Sequence, residues 1–552
     1  MGPIMRRWIL SSALVETLLF SGCLLGWNSL SPILTDVGVL SQDCHSDLER
    51  SEERSNGSSA GAEHTGRAET VSSMAELILG SRSNKPQDPC TSQEQSLTLG
   101  FTVGTFFIWG AFLPLQLLLG YVHIRSLRQI GGALVSVSCL MLVYCLVRPQ
   151  TLSLFLPFAL IAQGLGGSCV LFSSLMLPHI LEDVGPLFSS LVIASFSASA
   201  TIFTIIKVIY FSGIPIVPII LGYGTMSCAM VLNSTLCWCL SPPGEKEDTM
   251  YSVSLRLNCY EAVNKKKPQE DEWCQKSLNR KFQNSLKDRE RILSFRRTLS
   301  FKRPDAPAPS PLLESLVSPT FLLHLLSDST LLTWIYFYIS SVNSHLQSQE
   351  EGRWSQSDVY SSVFGALQML GLFAAPLISI LLHNHRLRKR PRKTGQTAAR
   401  NSYKQACSMK RLSAVYALRS LLVIGFGISC LIPSLQLQVV TFILHVAIRA
   451  SMFLVSSTLY LSVFPGQHFG ALLGINTFIS SILSLVQYPI FLLLMGPLRG
   501  DPFWIHGTFL ALSLAAVALP IHRMVTYNQR HRRPVSRPIH LRKVTPPTTT
   551  EA

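Results

Sequence analysis

Apolar runs of 18 to 27 residues recur along the whole chain and most constrain its fold. At a rise of 1.5 Å per residue, each run is long enough as a helix to cross a hydrocarbon core about 30 Å thick. A segment inside lipid must satisfy its own backbone hydrogen bonds, which leaves α-helices and closed β-barrels. A barrel strand needs only about ten alternating residues, whereas these runs are continuous. The sequence therefore predicts an all-α polytopic membrane protein.

The runs form two groups of six, which we number α1 to α12. We predict spans at residues 8–34, 96–121, 130–147, 151–177, 187–211, 214–239, 319–341, 359–383, 414–432, 439–464, 472–495 and 503–521. The predicted domains are a bundle at 1–240 with an outside loop at 35–95, a linker at 241–317, a bundle at 318–523 and a tail at 524–552. Two six-helix bundles with a long middle loop are typical of the major facilitator fold, in which substrate binds between the halves. That fold serves several transport classes, so it does not identify a substrate.

The positive charge indicates orientation in a membrane. The chain has a formal net charge of +16, and 36 of its 47 Lys and Arg residues fall in segments that this topology places in the cytoplasm. Residues 384–413 alone carry ten basic residues and no acid. Cytoplasmic loops are enriched in Lys and Arg, so we expect both termini in the cytoplasm and membrane lipid, not nucleic acid, as the partner of this charge.

The polar segment 241–317 is predicted to be a poorly ordered cytoplasmic linker, because it has fifteen basic and eleven acidic residues and no core-like pattern. Ser294 and Ser300 each follow an Arg by three residues, a spacing that basophilic kinases favour. A phosphate there would add a charge of about −1.5 to −2 to a basic stretch. The linker is therefore interpreted either as a regulatory site for a cytoplasmic kinase or as a plain tether between the two bundles.

The predicted outside loop, 35–95, contains one glycosylation sequon, at Asn56. Its two cysteines are Cys44 and Cys90. An oxidising exterior permits a disulfide between them. The alternative is two free thiols.

Five ionisable residues other than histidine fall inside predicted spans, where charge is costly and is often functional. They are Glu16, Lys207, Asp328, Arg419 and Arg449. Lys207 and Arg419 lie near span ends, so we expect both to extend to the interface. Glu16, in the first third of α1, is expected to be structural.

Arg449 lies near the middle of α10, with His445 one turn before it on the same face. It could hold a substrate carboxylate through two hydrogen bonds. It could instead pair with Glu16 or with a backbone carbonyl and stabilise the bundle. Asp328 on α7 is interpreted either as a ligand for a substrate amine or as a solvated cap near the cavity mouth.

Small residues mark close helix contacts or places where a ligand reaches the backbone. The candidates are Gly26 with Trp27 on α1, Gln163 to Gly167 on α4, and the Ser-rich face around Ser197 on α5. Three glycines within Gly164 to Gly167 weaken a helix, so we expect an interruption of α4 there. Gln163, Gly166 and Gly167 are accordingly candidates for substrate contact, with close packing as the alternative.

No nucleotide-binding loop, metal cluster or nucleophile arrangement occurs in the sequence. We therefore expect neither an enzyme nor a cofactor, and facilitated diffusion needs the fewest assumptions.

Several stretches resemble the solute carrier 43 family of facilitative transporters. They are LLGW at 24–27, FTVG at 101–104, IK at 206–207, SPTF at 318–321, YSSVFGA at 360–366, GISCLI at 427–432, FILH at 442–445 with Arg449, FP at 464–465, HFG at 468–470 and GPLRGDP at 496–502. The resemblance implies sodium-independent uniport of branched-chain amino acids, Phe and Met at the plasma membrane. One branch of that family moves purine nucleobases, which is the alternative substrate. The alternative from a different functional class is a membrane sensor that transports no substrate.

Overall fold

The computed structural model describes residues 3–41, 91–119, 121–180, 186–239, 312–348, 354–383, 397–465 and 468–516. In the first half, α1 comprises Pro3–Phe20, the 3-10 turn Cys23–Gly26 and Trp27–Asp36; α2 comprises Thr91–Gly110 and Phe112–Leu118; α3 is Ile124–Val147; α4 comprises Pro149–Leu152, the 3-10 turn Ser153–Phe155 and Leu156–Ile180; α5 comprises Pro186–Ala198 and Thr201–Phe211; and α6 is Ile216–Cys239.

The second half begins with the one-turn helix Leu312–Leu316. Then α7 is Pro319–Ser348; α8 comprises Trp354–Leu367, the 3-10 turn Gln368–Leu370 and Gly371–His383; α9 is Thr397–Leu431; α10 is Leu435–Val463; α11 comprises Phe469–Ser484 and Gln487–Met495; and α12 is Phe503–Ala516. A helix, in several cases broken into two segments, therefore lies at every predicted span.

Nine helices in the described part of the chain are long and apolar enough to cross a membrane, or ten if the two segments of α2, bent by 42°, form one span. The other two predicted spans are α7, which carries buried polar residues, and α12, whose described part is short. The count of twelve spans stays a prediction.

The surface of the described helices is apolar in the way that lipid requires. Large hydrophobic side chains are exposed on several helices, including Phe373 at 67%, Leu421 at 66% and Trp504 at 68%. Charged side chains such as Glu16 and Asp328 are buried instead. This reversal of the usual pattern of a water-soluble protein fits a chain surrounded by hydrocarbon.

Two helices, α1 and α5, are broken at the same level, and their breaks contact each other. The Gly22 backbone N–H donates to Ser199 Oγ at 3.0 Å. A Cβ at Gly26 would overlap the carbonyl oxygen of Ala200. Only glycine permits this approach of two backbones.

The glycines of α4 do not interrupt that helix, and the expectation of an interruption is wrong. Leu156–Ile180 is continuous through them. A Cβ at Gly167 would overlap the carbonyl oxygen of Ser21, and one at Gly166 would lie 2.9 Å from the carbonyl oxygen of Gly131. Neighbouring backbones on α1 and α3 fill the space, and α4 keeps its own hydrogen bonds.

The two halves meet along α5 with α8 and along α2 with α11. Within the halves, α3 packs on α4 and α6, while α9 packs on α10 and α12. The helices at the junction leave a cavity between the halves, which we describe next.

Candidate functional site

A cavity opens where helices of both halves meet. From the first half it is lined by Leu25, Trp109 and Phe196, and from the second half by Asp328, Leu332, Ile335, Tyr336, Arg449, Met452, Phe453, Ser456, Leu473, Asn476, Thr477 and Ser480. The cavity has a volume of about 40 Å³, counted over the positions that the centre of a water molecule can occupy. That is space for roughly three water molecules, so a larger solute requires the walls to move.

Three second-half helices, α7, α10 and α11, each contribute one face to the cavity. The lining positions on α10 are 449, 452, 453 and 456, and those on α11 are 473, 476, 477 and 480. Both sets follow the spacing i, i+3, i+4, i+7, which places side chains on one side of a helix. On α7 the positions are 328, 332, 335 and 336. The cavity is thus a product of regular helices presenting single faces.

Aromatic and aliphatic side chains form most of the cavity wall. The rings of Trp109 and Phe453 stack with centroids 5.8 Å apart, and the ring of Phe196 meets Trp109 edge-on at 5.2 Å. These contacts join α2 and α5 of the first half to α10 of the second. An apolar chamber with few polar groups suits a ligand that has an apolar side chain and a small polar head.

Asp328 is buried at the cavity wall and binds four side chains. Its Oδ1 accepts a hydrogen bond from Arg419 Nη2 at 2.5 Å, and its Oδ2 accepts one from Ser456 Oγ at 2.7 Å and one from Asn476 Nδ2 at 3.2 Å. His324 Nε2 lies 3.1 Å from the same Oδ2. This carboxylate is buried and paired with Arg419, so it is not a solvated cap. Its role as a ligand for a substrate amine stays a prediction.

The ring of His324 extends this network to α9. Tyr416 Oη lies 2.9 Å from His324 Nδ1. Tyr416, His324 and Asp328 thus form one chain of polar contacts between α9 and α7.

Arg449 is buried on α10 and reaches across to the first half. Its Nη2 donates to the backbone carbonyl of Ser197. That carbonyl belongs to the last turn of the Pro186–Ala198 segment, where helix carbonyls lack partners and carry partial negative charge. Among the described residues, Arg449 Nε and Nη1 have no hydrogen-bond partner. The guanidinium therefore presents unpaired N–H donors at the wall of the cavity.

Of the nine residues predicted to contact substrate, Asp328 and Arg449 line the cavity. The seven that do not line it are Gly26, Trp27, Gln163, Gly166, Gly167, Ser197 and His445. Ser197 is next to it through its carbonyl contact with Arg449. The three glycines lie at helix contacts, as the packing alternative expects.

The remaining three predicted residues lie in the packed interior. Trp27 stacks on Phe101 with ring centroids 5.2 Å apart. Gln163 Nε2 donates to Cys23 Sγ at 2.7 Å, at the break in α1. His445 is fully buried among aromatic rings, with Tyr338 at 5.4 Å. Their positions favour structural roles.

The other charged residues of the spans are paired inside the protein. Glu16 accepts from Arg128 Nε at 2.8 Å and from Asn233 Nδ2 at 2.9 Å, so it does not pair with Arg449. Lys207 Nζ lies 3.4 Å from Asp358 Oδ1. Lys207 and Arg419 are both buried, which corrects the expectation that they extend to the interface.

A second group of polar contacts joins the halves, and we call it the Asn28 cluster: Asn28, Asn343, Ser361, Lys207 and Asp358. Asn28 Nδ2 donates to the Ser361 carbonyl at 2.9 Å, and Asn343 Nδ2 donates to the Asn28 carbonyl at 2.9 Å. Ser361 Oγ donates to Asn343 Oδ1 at 2.9 Å. The cluster thereby ties α1 and α5 to α7 and α8.

Sequence reasoning missed Asn476, Ser456 and Trp109 as cavity residues. Asn476 and Ser456 are ordinary polar residues within apolar runs, and their position on the cavity face follows only when the faces of α10 and α11 are assigned. A helical-spacing analysis that started from Arg449 would have reached Ser456, seven residues later on the same face. Nothing local in the sequence marks Trp109.

The comparisons with known proteins agree with this architecture. No family model matches the chain. The chain is 30% identical to the human large neutral amino acids transporter small subunit 3 over 550 residues, which cover 93% of this chain and 92% of that protein. The mouse protein of the same name is 29% identical over 560 residues, with the same coverage.

A bovine protein named equilibrative nucleobase transporter 1 is 24% identical over 514 residues, which cover 93% of this chain and 94% of that protein. Among solved structures, the human organic anion transporter MFSD10 (TETRAN) aligns with a TM-score of 0.50 and 14% identity, covering 94% of this chain and all of that one. At this identity the likeness shows the fold alone, which is the predicted major facilitator fold. With near-complete coverage at 30% identity, the chain belongs to the solute carrier 43 family, that of the large neutral amino acids transporter small subunit 3, and is a multi-pass membrane protein.

Proposed function

We propose that this protein is a sodium-independent facilitative uniporter of large neutral amino acids, such as branched-chain amino acids, Phe and Met. The unpaired N–H donors of buried Arg449, at the wall of a mostly apolar cavity, carry this proposal. A guanidinium in that position binds a carboxylate through two parallel hydrogen bonds. The names of the family members in human and mouse point to the same substrate class.

The cavity wall would determine which side chains of a substrate amino acid are accepted. Leu25, Phe196, Leu332, Ile335, Met452 and Phe453 offer apolar surface around the cavity. Burying an aliphatic or aromatic side chain against such a wall contributes roughly 1.5 to 3 kcal/mol, whereas a charged side chain would lose its water without a partner. Large neutral amino acids fit both requirements.

Transport would proceed by alternating access of the cavity to the two sides of the membrane. If both termini are in the cytoplasm, the Asn28 cluster would lie toward the extracellular side, and its hydrogen bonds would hold that side closed. Opening requires these contacts to separate while the halves tilt about the cavity. Since a uniporter couples no ion to transport, the concentration gradient of the substrate alone determines the direction of net transport.

We further propose that the protein lies in the plasma membrane. The proposals for glycosylation at Asn56, a disulfide between Cys44 and Cys90, and phosphorylation at Ser294 and Ser300 concern residues outside the described ranges. They rest on the sequence alone.

The purine nucleobase alternative is supported by the similarity to the bovine nucleobase transporter. A neutral nucleobase has no carboxylate for Arg449, so the cavity favours the amino acid.

Uptake into liposomes that contain only this purified protein tests the proposal. We expect saturable uptake of labelled leucine that is unchanged when sodium is replaced, and inhibition by phenylalanine but not by adenine. Uptake of adenine that leucine fails to inhibit would support the nucleobase alternative. Absence of any saturable uptake by correctly folded protein would support the sensor.

A further inference from the structure

The acceptor capacity of Asp328 Oδ2 is already used within the protein. A carboxylate oxygen has about two lone pairs in its plane. Oδ2 already accepts from Ser456 and Asn476 and lies 3.1 Å from His324 Nε2, while Oδ1 receives Arg419. Oδ2 therefore has no lone pair left for a substrate ammonium, and the remaining lone pair of Oδ1 lies beside the Arg419 guanidinium, which repels a cation. A second acceptor in the cavity would serve an ammonium group better.

Asn476 supplies that acceptor, and its orientation is fixed by chemistry. An ionised carboxylate only accepts hydrogen bonds, so the amide must turn its Nδ2 toward Asp328. The carbonyl oxygen, Oδ1, consequently points away from Asp328. It has no hydrogen-bond partner among the described residues, although the Asn476 side chain is 98% buried and lines the cavity. A buried carbonyl oxygen without a partner favours a donor ligand.

We infer that Asn476 is a specificity-determining residue whose Oδ1 accepts a hydrogen bond from the α-ammonium group of the substrate. This inference rests on the proposed function, in which Arg449 holds the carboxylate. Asp328 and Arg419 neutralise each other, so the amide oxygen meets the ammonium as a neutral dipole and Arg449 remains the one uncompensated charge described at the cavity wall. A zwitterion satisfies both groups, because its carboxylate offsets the arginine and its ammonium fills the amide acceptor.

The test compares L-leucine with 4-methylpentanoate, which keeps the carboxylate and the side chain but has no donor in place of the ammonium. Binding of each ligand is measured by thermal stabilisation of the purified protein in nanodiscs, which does not depend on transport. The wild-type protein should bind L-leucine more tightly. In Asn476→Leu the ratio of the two affinities should fall roughly tenfold to hundredfold, because a hydrogen bond to a charged group contributes a factor of that size to an affinity. The affinity for 4-methylpentanoate should change far less.

Asn233→Leu is a matched control. Asn233 also donates an amide hydrogen bond to a buried carboxylate, Glu16 Oε1 at 2.9 Å, but it does not line this cavity. This variant should keep the wild-type preference for L-leucine. If Asn476→Leu fails to fold, Asn476→Ala replaces it, with the same expected loss of preference.

Two results separate this inference from the proposed function. A wild-type protein that fails to bind L-leucine refutes the proposed function. A wild-type protein that binds L-leucine, with a variant that weakens both ligands by the same factor or keeps the wild-type ratio, overturns the role of Asn476 alone.

Discussion

Separate and joint removal of the charges on Asp328 and Arg419 tests whether α7 and α9 are held together by a buried ion pair. The two side chains are about 5% exposed and in direct contact. Asp328→Asn leaves the guanidinium in the interior without its carboxylate, and Arg419→Met leaves the carboxylate without its cation. Removing one partner of a buried pair typically costs about 3 to 5 kcal/mol, and we expect each single variant to lose stability in that range.

The double variant should recover most of this loss, because replacing a whole buried pair by neutral groups is often close to neutral. The free energy of unfolding is measured by titration with a denaturing detergent in mixed micelles, for the wild type, both single variants and the double variant. Variants at separate sites add within about 0.5 kcal/mol. Additive losses in the double variant would refute the ion pair.

Three further predictions concern the cavity, the helix breaks and the Asn28 cluster. Arg449→Gln should reduce leucine uptake at least tenfold with unchanged surface expression, since it removes the cation but keeps a polar side chain; intracellular retention would indicate a purely structural arginine. Gly26→Ala should lower the folded yield because its methyl group meets backbone on α5, whereas Gly222→Ala, with nothing within 4 Å, should not. Asp358→Asn removes the carboxylate that offsets a buried lysine and should open the extracellular side, measured as faster labelling of Ser361→Cys by an impermeant maleimide. Unchanged labelling would contradict a gating role for that pair.

The helices and the fold follow from the sequence because length and hydropathy act locally. A run of about 20 apolar residues has few options in lipid, and the structure has a helix at every predicted span. Five of the charged residues were also identified, since charge inside a span is rare enough to mark each one, but buried Arg128 lies outside the predicted spans and was missed. Their partners were not, because Glu16 and Arg128 lie 112 positions apart and meet only through packing.

The site shows the same limit. Arg449 was singled out by its depth in α10, but the breaks at Cys23–Gly26 and between Ala198 and Thr201 carry no proline within them. Contacts between two helices determine these breaks, so local propensity does not reveal them. Conversely, the glycines of α4 suggested weakness, yet neighbouring backbones pack against them and the helix stays continuous.

The paired breaks divide α1 and α5 each into an N-terminal and a C-terminal helical segment. A continuous helix would transmit any displacement at one end directly to the other end. The N-terminal segment of α1 is held by the ion pair of Glu16 with Arg128, while the C-terminal segment carries Asn28. We therefore expect the C-terminal segments of α1 and α5 to tilt while the N-terminal segments stay in place. Arg449 binds the last turn of the N-terminal segment of α5, directly before the break, so a ligand that contacts Arg449 lies next to the point where the two segments meet.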